Sequence, residues 1–189
     1  MNFEEIFSRH FFSNHHIEAQ TLELELCTFF KNCECVTFSS FCGLLASIND
    51  EVCGTEDNIL IDCDNFEIQN INLFLHATNR KGVLEWSSKN DDIASLKIKF
   101  AIKNKNISIY IKGIITNNFE KKGFILDFSG TSELINSTAA FVTPDPLLAE
   151  KIRWSRSSYG RQSKSNVTIS ANGRVSEFQA KIVANKISS

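Results

Sequence analysis

An excess of positive charge is missing from this chain, and so is any long apolar run. Its 20 Lys and Arg are outweighed by 22 Asp and Glu, for a formal net charge of -2. A protein that neutralises nucleic-acid phosphates normally carries a basic face, so this balance argues against that class. No stretch approaches the roughly 20 apolar residues of a membrane helix, so no membrane partner is expected. The N-terminal Met1-Asn2-Phe3-Glu4-Glu5 is acidic where a secretion signal is basic, which makes a cytosol-like compartment the expectation. Proline is scarce, at two residues, and tryptophan and tyrosine occur twice each against 16 Phe. With no repeat and no low-complexity segment to divide it, the chain is expected to form one domain, 1–189, with a sizeable core.

Metal-ligand spacing is lacking as well. Six cysteines occupy the first third, at Cys27, Cys33, Cys35, Cys42, Cys53 and Cys63, but Cys33-Glu34-Cys35 has the wrong gap for a zinc pair. A reducing compartment disfavours disulfides, so reduced thiols are expected. His15-His16 is an isolated doublet, and Asp62-Cys63-Asp64 resembles half a calcium loop without its remaining ligands or glycine. No metal is expected.

What is present reads as one helix followed by strands. Phe3, Ile6, Phe7 and Phe11 recur at helical spacing, with Asn2 as cap and Glu5 completing a capping box. The period then changes to two: Leu22, Leu24 and Leu26 alternate with Glu23 and Glu25. Leu96, Ile98, Phe100 and Ile102 share one side of a strand, and Ile107, Ile109 and Ile111 continue it as a hairpin beyond a turn at 104–106. Further strands are expected at 58–63, 71–76, 83–86, 123–128, 150–156, 165–171 and 175–184, with Asn172-Gly173 as a hairpin turn between the last two. Pro144 and Pro146 mark a break before Glu150. Many antiparallel strands with one wet face must close on themselves or stack, and a barrel of about eight to ten strands can enclose one small molecule.

The densest chemistry lies in Glu150–Ser165. Three of the six arginines, Arg153, Arg156 and Arg161, fall here beside Trp154 and Glu150. Arginine forks bind carboxylates, and tryptophan offers a flat stacking face, a pairing suited to a planar ligand with acidic arms. An ordinary half-exposed strand is the alternative. Strand parity would place Glu150, Ile152, Trp154 and Arg156 on one face and Arg153 on the other.

The order of landmarks resembles the CpcS/CpeS family of phycobiliprotein chromophore lyases. Leu84-Glu85-Trp86 precedes Ala94-Ser95-Leu96, and Lys112-Gly113-Ile114 precedes Gly123 through Asp127 to Gly130. Glu150 to Trp154, Arg161-Gln162-Ser163-Lys164-Ser165, Asn172-Gly173 and Phe178–Val183 then follow in the family's order. Departures occur at Arg153-Trp154, Ser163, His15 and Lys181, where the family carries other residues.

The resemblance implies an all-β fold: a lipocalin-like antiparallel β-barrel of about ten strands with a short N-terminal helix. It implies a lyase that binds a linear tetrapyrrole, such as phycoerythrobilin, as substrate. The enzyme would join it through a thioether to a cysteine of a phycobiliprotein subunit, with no cofactor of its own. Arg161 would clamp a propionate and Glu150 would accept from pyrrole N–H groups; these two are the implied catalytic residues. Trp86, Trp154, Ser163 and Ser165 would complete the bilin contacts. Catalysis would be mostly positioning, since the acceptor supplies the nucleophile. A cyanobacterial cytosol or a plastid stroma is the implied location, and family members commonly pair as homodimers. Two other readings stay open: an intracellular lipocalin-like carrier without transfer activity, and a non-enzymatic interaction module.

Overall fold

The structure, a computed structural model, describes Phe3, Glu4, Ile6 and residues 17–52, 58–61, 99–102, 105–108, 110–116, 121–128, 138–156 and 173–188. In chain order the elements are α1 (Ile17–Phe29), β1 (Glu34–Phe38), α2 (Phe41–Val52), β2 (Asn58–Ile61), β3 (Lys99–Ile102), β4 (Lys105–Ser108), β5 (Tyr110–Thr116) and β6 (Lys121–Asp127). They end with β7 (Ala139–Thr143), α3 (Pro146–Arg156) and α4 (Glu177–Ser188). Five strands form one antiparallel sheet in the order β1-β7-β6-β5-β2, and β3 pairs with β4 as a separate hairpin.

Side chains alternate across β1, β6 and β7, and each face of the sheet carries its own core. Cys35, Leu126, Phe128, Ala140 and Val142 pack with Ala19, Leu22 and Leu26 of α1 and with Ala180, Val183 and Ala184 of α4. Val36, Phe38, Ile125, Ala139 and Phe141 pack with Leu44, Leu45 and Ile48 of α2 and with Leu148, Ala149 and Ile152 of α3. The result is a three-layer arrangement, with two helices on either side of the sheet. At Gly123 the packing leaves no room for a side chain, because an added Cβ would sit 2.6 Å from Cζ of Phe141.

This architecture overturns the expected all-β, lipocalin-like barrel. A barrel has no edge, but the outward edge of β1 is sealed by side chains. Glu23 Oε1 accepts from Thr37 N–H at 2.8 Å, and Arg156 Nη1 donates to Thr37 C=O at 2.8 Å. Arg153 Nη2 donates to Cys35 C=O at 3.2 Å, and Ser39 N–H donates to Gly173 C=O at 2.9 Å. No further strand can pair there. Helices pack on both faces of β1, β6 and β7, so these strands do not wrap a hollow.

Three expected strands are helical instead. Leu22 and Leu26 are buried while Leu24 is 68% exposed, so the burial follows the helical period over the alternating Leu-Glu pattern. The helix containing Glu150 starts where Asp145 Oδ1 accepts from the N–H groups of Leu147 and Leu148, at 2.9 and 3.1 Å. Pro146 takes the first helical position, where its missing N–H costs nothing. The segment 175–184 contains a capping box: Ser176 N–H donates to Gln179 Oε1 at 3.1 Å and Gln179 N–H donates to Ser176 Oγ at 3.2 Å. That reciprocal pair starts α4, and Gly173 serves as its lead-in rather than as a hairpin turn.

Strands lie at 58–61, inside the expected 58–63, and at β6, which overlaps the expected 123–128. A β3–β4 hairpin is present, but Lys105 and Asn106 of the expected turn belong to β4, and Ile111 of the expected second arm belongs to β5 in the other sheet. The expected strands 71–76, 83–86 and 165–171 lie outside the described residues, as does most of the expected N-terminal helix. Within that segment Glu4 and Ile6 are helical, and Phe3 packs its ring 5.5 Å from that of Phe178. Among the described residues, no helix is long and apolar enough to cross a membrane.

Candidate functional site

α3 presents two chemically different faces. Inward, Leu148, Ala149 and Ile152 join the core, and Arg156 follows them at 7% exposure. Arg156 Nη1 donates to Glu23 Oε1 at 2.7 Å, across the rim of the sheet from one helix layer to the other. Glu23 Oε1 also accepts from Thr37 Oγ1 at 2.9 Å. Burial pulls the Arg156 guanidinium below its ordinary value, and the Glu23 carboxylate beside it pushes back. Arg156 Nε is buried and finds no hydrogen-bond partner among the described residues. Arg153 pairs with Glu34 at 2.7 Å nearer the surface. These charges hold α1, β1 and α3 together.

Outward, α3 shows Leu147 at 70% and Trp154 at 49% exposure, seven residues apart and therefore on one side of the helix. Glu150 and Lys151 lie between them and are exposed. Trp154 Nε1 donates to Glu150 Oε1 at 3.4 Å, one turn back, which orients the indole along the helix.

The structure thus brings together two of the expected site residues, Glu150 and Trp154, on the outside of a helix. The strand parity that grouped them with Ile152 and Arg156 is replaced by helical geometry, which buries the latter two. Arg153, expected on a solvated outer face, instead reaches the β1 edge. Trp86, Arg161, Ser163 and Ser165 lie outside the described residues. Sequence reasoning missed Glu23 as a partner of Arg156, since nothing local links positions so far apart.

A second cluster lies where α1 turns into β1. Asn32 takes φ 63°, a left-handed conformation that asparagine tolerates well, and the chain reverses there. Cys27, Cys33 and Cys35 meet in the core on that side, Cys35 fully buried and the other two partly so. Burial pushes the Cys35 thiol well above the ordinary range, and the neighbouring Cys27 thiol adds to the effect. Cys42, partly buried, packs on the opposite side of the sheet.

The sign of the resulting pH dependence follows directly. A thiol held protonated in the folded chain contributes stability in full below the unfolded value of about 8.5, and that contribution fades as pH rises beyond it. Urea midpoints measured from pH 7 to 10 should therefore fall above pH 8.5, and fall less steeply for Cys35→Ala. Parallel pH profiles for the two proteins would contradict this.

Among the described residues no group of three His, Cys, Asp or Glu side chains is placed to hold a metal ion. No family model matches the chain, and neither does any curated protein.

Proposed function

We propose that this protein is a non-catalytic interaction module that docks a protein partner on the outer face of α3. The observation that carries the reading is Trp154, 49% exposed on a regular helix and aligned with the still more exposed Leu147. Tryptophan dominates the energetics of protein interfaces, and large exposed apolar side chains in alignment mark contact surfaces. Leu147 and Trp154 would enter an apolar groove of the partner, as amphipathic helices do, while Glu150 and Lys151 form a charged rim.

The lyase reading required an enclosed hollow with Glu150 on its inner wall, and so did the lipocalin-like carrier. Glu150 is exposed on a helix, beside strands β1, β6 and β7 that are packed on both faces, which withdraws that support. The two readings part in a direct experiment. A photo-reactive residue at position 154 should yield discrete protein adducts in cells of the source organism, and the same residue at exposed Gln20 on α1 should not. Equal or absent labelling at the two positions would overturn the docking reading. A red-shifted bilin complex that Glu150→Ala and Arg161→Ala weaken would favour the lyase instead.

A further inference from the structure

We propose that the partner of α3 is a second copy of this chain, with the two α3 helices side by side and pointing the same way around a twofold axis. The inference rests on the docking reading above and supplies its occupant. It comes from the order of the exposed side chains along α3: Leu147, Glu150, Lys151 and Trp154. A helix turns by about 100° per residue, which puts Glu150 about 50° to one side of the line from Leu147 to Trp154 and Lys151 about 50° to the other. Each flank of the apolar row therefore carries one charge, of opposite sign, at nearly the same height.

A twofold axis running along the helices exchanges the two flanks. Glu150 of one copy then faces Lys151 of the other, and the same pair recurs on the second flank. Between the flanks, Leu147 meets Leu147 and Trp154 meets Trp154. Such a contact needs only one surface that is complementary to itself. Two copies running in opposite directions give the reverse result. Each flank then meets its own kind, Glu150 against Glu150 and Lys151 against Lys151, and like charges set together across an interface reject that arrangement. The apolar side chains supply the contact, and the charges choose its direction. Glu150 Oε1 also accepts from Trp154 Nε1 at 3.4 Å, so the indole is held along the row before a second copy arrives.

Sedimentation of the full-length protein, at concentrations reaching roughly 300 µM, should show a monomer passing to a dimer as mass action requires. A contact confined to one helix face is small, so half-association is expected on the order of 10–100 µM. Trp154→Ala should keep the protein monomeric throughout. Glu150→Lys and Lys151→Glu should each do the same, because either one places like charges on both flanks. Mixed in equal amounts, those two variants should pair with each other, and the double reversal Glu150→Lys/Lys151→Glu should dimerise like the parent. The substituted positions are exposed, and recovery in the mixture and in the double reversal separates a charge effect from misfolding. A monomer at every concentration, a dimer that survives Trp154→Ala, or single reversals that dimerise as well as the parent would overturn the assignment. A monomeric parent whose photo-reactive residue at position 154 still captures a different protein removes the second copy and leaves the docking reading standing. Loss of both results removes both.

Discussion

Replacing Arg156 with alanine is expected to lower the free energy of unfolding by about 3–5 kcal/mol, the range seen when one partner of a buried ion pair is removed. Glu23 would remain, with a side chain only 12% exposed and its strongest donor gone. Thr37 C=O would also lose its partner on the β1 edge. The cost arises mainly from the stranded carboxylate, so the double variant Glu23→Gln/Arg156→Met should recover a large part of it. Urea unfolding followed by circular dichroism measures all three proteins. If the double variant is as unstable as the single one, packing rather than charge holds this corner together.

Phe141→Ala should cost a similar amount, about 3–5 kcal/mol, because it empties a fully buried ring from the middle strand of one core. The ring also packs over Gly123, whose missing side chain is what lets it lie there. Gly123→Ala alone should destabilise by about 1–3 kcal/mol, since the new methyl would stand 2.7 Å from Cε2 of Phe141 and 2.7 Å from Val142 C=O. In the Phe141→Ala background the ring contact disappears, and the same substitution should cost less. Additive effects would show that the backbone contact to Val142 alone excludes a side chain at this position.

Legibility followed alternation: β1 and β7, buried along almost their whole length, carry no alternating pattern and are absent from the sequence reading. β3 carries Phe100 and Ile102 at the strand period, and Phe100 stands opposite Ile107 of β4, so pattern and structure share one period there. α1 hid behind Leu22-Glu23-Leu24-Glu25-Leu26, which imitates a half-wet strand. Glu23 looked solvated there, yet its side chain is only 12% exposed, against an arginine at position 156. Glu18 and Glu177 mislead in the same way. Both are buried: Glu18 pairs with Lys181 at 3.0 Å, and Glu177 Oε2 accepts from Glu18 N–H at 2.9 Å, where a carboxylate meets the positive end of α1. Charges that are buried by partners more than a hundred positions away carry no local mark. The caps did carry one: Asp145-Pro146 and Ser176 with Gln179 are helix-start signals. A reading by strand period leaves both of these signals unused.

For the site, the density of charge and tryptophan around Glu150 drew attention to a stretch in which Trp154 Nε1 donates to Glu150 Oε1. The secondary structure of that stretch decides its meaning. On a strand the pair would line a wall, whereas on α3 it stands outside one.

One contact bears on how the chain can change over time. Gly173 N–H donates to Arg156 C=O at 3.0 Å, while a Cβ on Gly173 would press 3.0 Å from the Phe38 ring. The exit from α3 and the approach to α4 are therefore stapled side by side. A bulkier residue at position 173 would therefore be felt at both helices at once, through the Phe38 ring and through the bond to Arg156.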